Sequence, residues 1–186
     1  MISGMYLGEI VRLLLVRMAQ DGLLFQGQVS DQLQTPGAFT TSFISEVEEE
    51  GSGPQHTERI LTGLSLRWSA VDLRAVCLVC DAVSSRAARL CAAALAAVAN
   101  RIRTNRGLQQ FQTTVAVDGT VYKKHPNFKA ELQDVVQDLA PQCTLDFLVS
   151  VDGSGKGAAM VTAVAQRNAA QSHLIDDEED EDQDQN

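Results

Sequence analysis

A chain of 186 residues and 20.1 kDa is long enough for one domain with a buried core, and its nine aromatic residues against abundant Ala, Val and Leu favour helices packed closely on a sheet over a β-sandwich. The formal net charge of -9 belongs to one end. Residues 176–186 carry eight acids and no base, and the rest sets 16 acids against 15 bases, which leaves no electrostatic case for nucleic acid as a partner.

Helical spacing starts almost at the first residue, with Met5, Leu7, Ile10, Val11, Leu14, Leu15 and Met18 as the core stripe. The expectation is a chain that opens inside a structure, as an N-terminal truncation would. Ile10–Met18 is apolar but carries Arg12 and Arg17 and is too short to span a bilayer, and no secretory leader is expected. Asp21-Gly22 stops the helix, and a polar stretch leads to Pro36-Gly37. Thr40, Thr41 and Ser42 then cap a short helix through Phe43, Ile44 and Val47. Glu48 to Pro54 is a surface loop, followed by a helix over 56–64 with Ile60, Leu61 and Leu64 on one face.

From Ala70 to Arg103 the pattern predicts one long helix, buried over most of its length, whose alanines at 87, 88 and 92–94 allow close approach of neighbours; Asn105-Arg106-Gly107 ends it. Two strand–turn–helix units follow. The first is a strand over 113–117, a turn over 118–126 and a helix over 128–139; the second is a strand over 144–151, a turn over 152–157 and a helix over 158–170. This alternation predicts an α/β fold with parallel strands, whose ligands bind beyond the carboxyl ends of the strands. Both Asp-Gly turns, at Asp118-Gly119 and Asp152-Gly153, fall at such ends.

Gly119 admits a ligand to the backbone and Thr120 offers a hydroxyl for a phosphate or ribose; equally, Asp118-Gly119 suits a hairpin in which 120–122 pair back as a strand. The segment SVDGSGKGAAM is no phosphate loop. The pattern GxxxxGK[ST] needs glycine at Ser150 and a hydroxyl at Gly157. Gly155 and Gly157 are instead read as packing the last helix on the sheet.

Cys77, Cys80, Cys91 and Cys143 sit in apolar surroundings and are read as reduced thiols; Cys77 and Cys80 have CxxC spacing without a second pair or a nearby His, which argues against a metal. His56, His125 and His173 are read as surface residues, and the carboxylates of the body as scattered over helix faces without an acid/base pair.

The segments MISGMYLGEIVRLLLVRM, GAFTTSFISEVE, VSSRAARLCAAALAAVANRIRTNRG, VAVDGTVYKKHPNF and DGSGKGAAMVTAVA, in this order, resemble the C-terminal part of the large domain of eukaryotic hexokinases and glucokinases. Met5, Ala116 and Val151 depart from that family's usual Lys, Gly and acid. The resemblance implies part of an actin-like ATPase (ribonuclease H-like) fold over 1–172 and an acidic, disordered tail over 173–186. It implies nucleotide contacts at Gly4; at Thr41, Ser42, Phe43, Ile44 and Ser45; and at Asp118, Gly119, Thr120, Val121, Tyr122 and Lys123. The parent enzyme it implies transfers phosphate from ATP, with Mg2+ held by the ATP, to the 6-hydroxyl of glucose and other hexoses, the first step of glycolysis. Such an enzyme works in the cytosol, with attachment to the mitochondrial outer membrane left open.

In that family the catalytic Asp, the phosphate loop and the sugar-holding groups all precede the matching region. This stretch alone is therefore expected to be inactive, to need the preceding part of the same fold as partner, and to be marginally stable by itself. The alternative is a non-catalytic nucleotide-binding or interaction module.

Overall fold

The structure, a computed structural model, describes residues 2–49 and 53–167. They form two compact units, one of residues 2–49, 53–115 and 119–147 and one of residues 116–118 and 148–167. The acidic tail lies outside the described residues.

The first unit is organised by α5 (Ala70–Asn105), a 36-residue helix. Its buried positions, Leu73, Val76, Cys80, Val83, Ala87, Ala88, Ala92, Ala96 and Ala99, recur every three or four residues, with Ala87 and Ala88 adjacent, and make one continuous stripe. The remaining faces are open: Leu78, Leu90 and Val98 are exposed, so the expectation that most of α5 is buried fails. By length and composition α5 is apolar enough to cross a membrane, but its stripe is taken up by protein. A capping box starts it. Ser69 Oγ accepts from Asp72 N while Asp72 Oδ2 accepts from Ser69 N. Gly107, at φ 63°, ends it, with Leu108 N donating to Arg103 O and Gly107 N to Thr104 O.

Against this stripe lie α1 (Leu7–Gln20), α3 (Thr41–Glu48), α4 (Gln55–Gly63) and α7 (Phe128–Leu139). In α1 the buried residues are Leu7, Gly8, Val11, Arg12, Leu15 and Ala19, whereas Met5 and Leu14, expected in the core, are exposed. α7 buries Phe128, Leu132 and Val136, and its Glu131 accepts from Ser85 Oγ and Arg89 Nε of α5, each at 2.7 Å. Farther along, Asn100 Nδ2 donates to Leu139 O, so α5 and α7 run in the same direction.

Between the long helices the sequence reading missed two short elements, a 3-10 turn at Phe25–Gly27 and α2 (Asp31–Gln34). Both are fixed by distant groups. Phe25, fully buried at φ 52°, donates its N–H to Asp72 Oδ1 at 3.0 Å. Burial pushes the Asp72 carboxyl up, but the hydrogen bonds from Phe25 and Ser69 win and hold it below its ordinary value. Arg12 is buried in α1; its Nη1 donates to Leu33 O and Gln34 O, and its guanidinium forks onto both Glu9 oxygens at 2.6 and 2.7 Å.

β1 (Phe111–Val117) and β2 (Cys143–Val149) form a two-stranded sheet. Phe111 N donates to Gln142 O at one end and Ser150 N to Val117 O at the other, so the strands are parallel. Phe111, Ala140 and Cys143 close a core cluster with Ala96 and Ala99 of α5. The turn after β1 does not form the alternative hairpin. Residues 120–124 are instead a helix, α6 (Thr120–Lys124).

In the second unit a helix runs over 153–167, beginning inside the glycine-rich segment and five residues earlier than expected. Asp118 Oδ2 accepts from Gly153 N at 3.1 Å at its start. The packing role expected of Gly157 is not found, since a Cβ there would meet nothing within 4 Å.

Two outcomes are expected. Ala88→Leu or Ala92→Leu lowers unfolding stability by about 1–3 kcal/mol, read from urea midpoints, whereas Ala93→Leu on the open face stays within about 0.5 kcal/mol. Arg12 holds Glu9 at about 2, below its ordinary 4.5. A depressed carboxyl contributes stability that is present above 4.5 and lost as pH falls toward 2. Glu9→Gln therefore lowers the melting temperature at pH 7, and its deficit relative to the parent chain shrinks on acidification to pH 3.

Candidate functional site

The predicted site residues come from three stretches far apart in sequence, and glycine brings the first two together. A Cβ on Gly8 would collide with the Phe39 carbonyl oxygen and with the backbone of Thr40 and Thr41, so the chain entering α3 lies directly against α1. Thr41 then joins the segments by hydrogen bonds. Its Oγ1 accepts from Gly8 N at 3.0 Å and donates to Gly4 O at 2.5 Å. Gly4 in turn faces α6, where a Cβ on Gly4 would stand 2.6 Å from Val121 Cγ2. Gly4, Thr41 and Val121 thus converge.

Around this point the predicted residues divide by exposure. Ser42, Thr120 and Lys123 are exposed and Ser45 and Phe43 half-buried. Ser42 Oγ pairs with Thr40 Oγ1 at 2.8 Å, and Thr40 forms no side-chain cap on α3. Gly119 is open, with nothing within 4 Å of a built Cβ. Ile44 and Tyr122 are core residues at 0% and 5% exposure. The Tyr122 ring stacks on Phe147, and its hydroxyl oxygen accepts from Gln133 Nε2 at 3.3 Å. Burial pushes the Tyr122 phenol up. Asp118 lies in the second unit, at the Gly153 N–H.

Sequence reasoning missed a buried polar cluster at the far ends of α3 and α6. His125, expected on the surface, is buried, and its Nε2 faces Glu48 Oε2 at 3.6 Å. Glu48 Oε1 accepts from Ser84 Oγ at 2.7 Å and Oε2 from Asn127 Nδ2 at 3.4 Å. Burial pushes the Glu48 carboxyl up and the His125 imidazole down, each toward its neutral form. The signal available in the sequence was the turn His125-Pro126-Asn127-Phe128, polar residues pinned between two helices. His56 is half-buried, with Nδ1 at 3.2 Å from Glu46 O; His173 lies outside the described residues.

All four cysteines are free thiols, with Cys80 and Cys143 buried and Cys77 3.7 Å from Thr57 Oγ1. Burial pushes the Cys80 and Cys91 thiols up, the direction of inert rather than reactive groups. A cleft of about 550 Å3 among α3, α4 and α5, lined by Val47, Glu48, Leu73, Cys77 and Leu78, lies at the opposite end of α3 from Thr41.

Comparison with known proteins gives the family. The sequence profile of the family described as hexokinase matches residues 1–164. Hexokinase-2 of Equus caballus is 52% identical over 171 residues, which is 92% of this chain and 19% of that protein. Hexokinase HKDC1 of Homo sapiens is 50% identical over 167 residues, 90% of this chain and 18% of its own length. The chain thus spans about a fifth of the length of these relatives. Among solved structures, hexokinase from Schistosoma mansoni complexed with glucose superposes with a TM-score of 0.78 at 35% identity, over 88% of this chain and 36% of that one. A second hexokinase structure, 23% identical, matches with a TM-score of 0.65 and supports the fold alone. Sequence and structure agree: the chain belongs to the hexokinase family and carries part of its actin-like ATPase fold.

Proposed function

We propose that this chain supplies the adenosine side of the ATP site of a hexokinase, whose intact form transfers the γ-phosphoryl of MgATP to the 6-hydroxyl of glucose or another hexose at the first step of glycolysis. The observation that carries this reading is the convergence of Gly4, Thr41 and Val121 from three segments, each of which resembles a nucleotide-contacting stretch of the family. A solved relative holding glucose supports a hexose as the acceptor.

The roles follow from exposure and chemistry. Gly4 and Thr41 present half-buried backbone and a hydroxyl at the meeting point. Thr120 adds an exposed hydroxyl, and Lys123 an ammonium for the phosphate side. Ile44 and Tyr122 serve by packing, which fixes where α3 and α6 sit. Magnesium is taken, as the resemblance implies, to arrive on the triphosphate.

Phosphoryl transfer depends on aligning the γ-phosphate with an attacking hydroxyl and on neutralising the charge that develops. The groups that resemblance assigns to those tasks precede this stretch. Binding without turnover is the consequence.

Titration calorimetry with MgATP tests this. The chain is expected to bind MgATP, Thr41→Val to weaken binding about tenfold, or about 1.4 kcal/mol, and glucose with MgATP to give no product above the blank. An absence of heat from MgATP, or equal affinity in Thr41→Val, would overturn the reading.

A further inference from the structure

The two arms of the convergence point are short helices whose opposite ends meet at the buried cluster. α3 carries Thr41 at its first position and Glu48 at its last; α6 carries Val121 near its start and ends at His125. With a rise of about 1.5 Å per residue, Glu48 lies about 10 Å along α3 from Thr41. Glu48 is also where α5 joins, through Ser84, and where the lead into α7 joins, through Asn127.

The protons at His125 follow from its partners. Nδ1 accepts from the backbone N–H of Asn127 at 3.4 Å and of Phe128 at 3.3 Å, so it carries no proton and caps the start of α7. The ring proton of the neutral imidazole therefore sits on Nε2. That nitrogen is buried, forms no hydrogen bond, and points at Glu48 Oε2, 3.6 Å away with both side chains almost wholly buried. A closure of about 0.6 Å brings it within hydrogen-bond distance of a carboxyl group that already accepts from Ser84 and Asn127. Adding a second proton to the ring would break the α7 cap and place positive charge at a helix N-terminus, which is unfavourable. Asp81 and Cys80 of α5 and Glu131 of α7 are the other titratable groups facing the cluster, and none supplies a cation.

We propose that Glu48 and His125 form a buried positioning clasp that ties the far ends of α3 and α6, and so sets the width of the Gly4–Thr41–Val121 nucleotide subsite. The role rests on the nucleotide reading above; the clasp itself does not. Neither residue touches the nucleotide.

Two replacements of His125 separate its two tasks. His125→Asn keeps an acceptor near the Nδ1 position for the α7 cap but does not reach Glu48. His125→Gln reaches toward Glu48 with an amide N–H but gives up the cap. Hydrogen exchange over 119–125 and the MgATP dissociation constant are measured for both, together with Glu48→Gln, which leaves His125 and the cap in place. His125→Asn and Glu48→Gln are expected to raise exchange over 119–125 and weaken MgATP by about fivefold or more, and His125→Gln to keep both within about twofold of the parent chain. Unchanged exchange and affinity in His125→Asn would overturn the clasp. So would losses in His125→Gln equal to those in His125→Asn, since the α7 cap would then be the cause. If His125→Asn does not fold, Glu48→Gln decides by the same two readouts. If the parent chain itself binds no MgATP, the nucleotide reading fails, and exchange over 119–125 still decides the clasp.

Discussion

The alanine face of α5 is the constraint on which the rest depends. Where Ala87, Ala88, Ala92, Ala96 and Ala99 are buried, each side chain is a single methyl, which allows neighbours to pack close to the helix. Packing at interior density then leaves no slack for an added methylene. The consequence reaches the polar groups. Ser84 and Ser85, on the same helix, deliver hydroxyls to Glu48 of α3 and Glu131 of α7, so the stripe that packs the core also fixes two carboxylates.

The same economy of side chains builds the convergence point. Gly8 lets the backbone of 39–41 rest on α1, and the single hydroxyl of Thr41 spans Gly8 N and Gly4 O. Each such hydrogen bond is worth about 1 kcal/mol net, but its geometric effect is larger. The convergence point is set by backbone contacts rather than by rotamers. A small displacement of α3 or α6 therefore changes it as a whole.

How far the sequence could be read follows the range of the forces involved. α5, α7 and both parallel strands were legible because their patterns are local and strongly periodic. The ends of α1 and α5 were legible because Gly22 and Gly107 adopt the positive φ that closes a helix. What escaped depends on distant partners. Phe25 takes its left-handed conformation, which few residues other than glycine adopt, under a hydrogen bond that its N–H donates to Asp72, 47 residues on. His125 looked like a surface histidine because the carboxylate facing it lies in α3. Of the site, the converging segments were visible through resemblance, but the burial of Ile44 and Tyr122 was not, since a nucleotide-motif residue and a packing residue look alike in sequence.

The start of the helix over 153–167 shows the same limit and bears on the role of the first Asp-Gly turn. Gly153, Gly155 and Gly157 have poor helix propensity and favour a loop on local grounds. The helix begins there because Asp118, brought alongside by strand pairing, accepts from Gly153 N, and because Asp152 takes φ 55° just before it. A carboxylate at a helix N-terminus is favoured by about 0.3–1 kcal/mol, enough to offset part of the glycine penalty. Asp118 therefore helps to start the helix that follows β2. In the proposed nucleotide site the turn then offers the open backbone of Gly119 and the hydroxyl of Thr120 beside a carboxylate that also serves the start of the next helix.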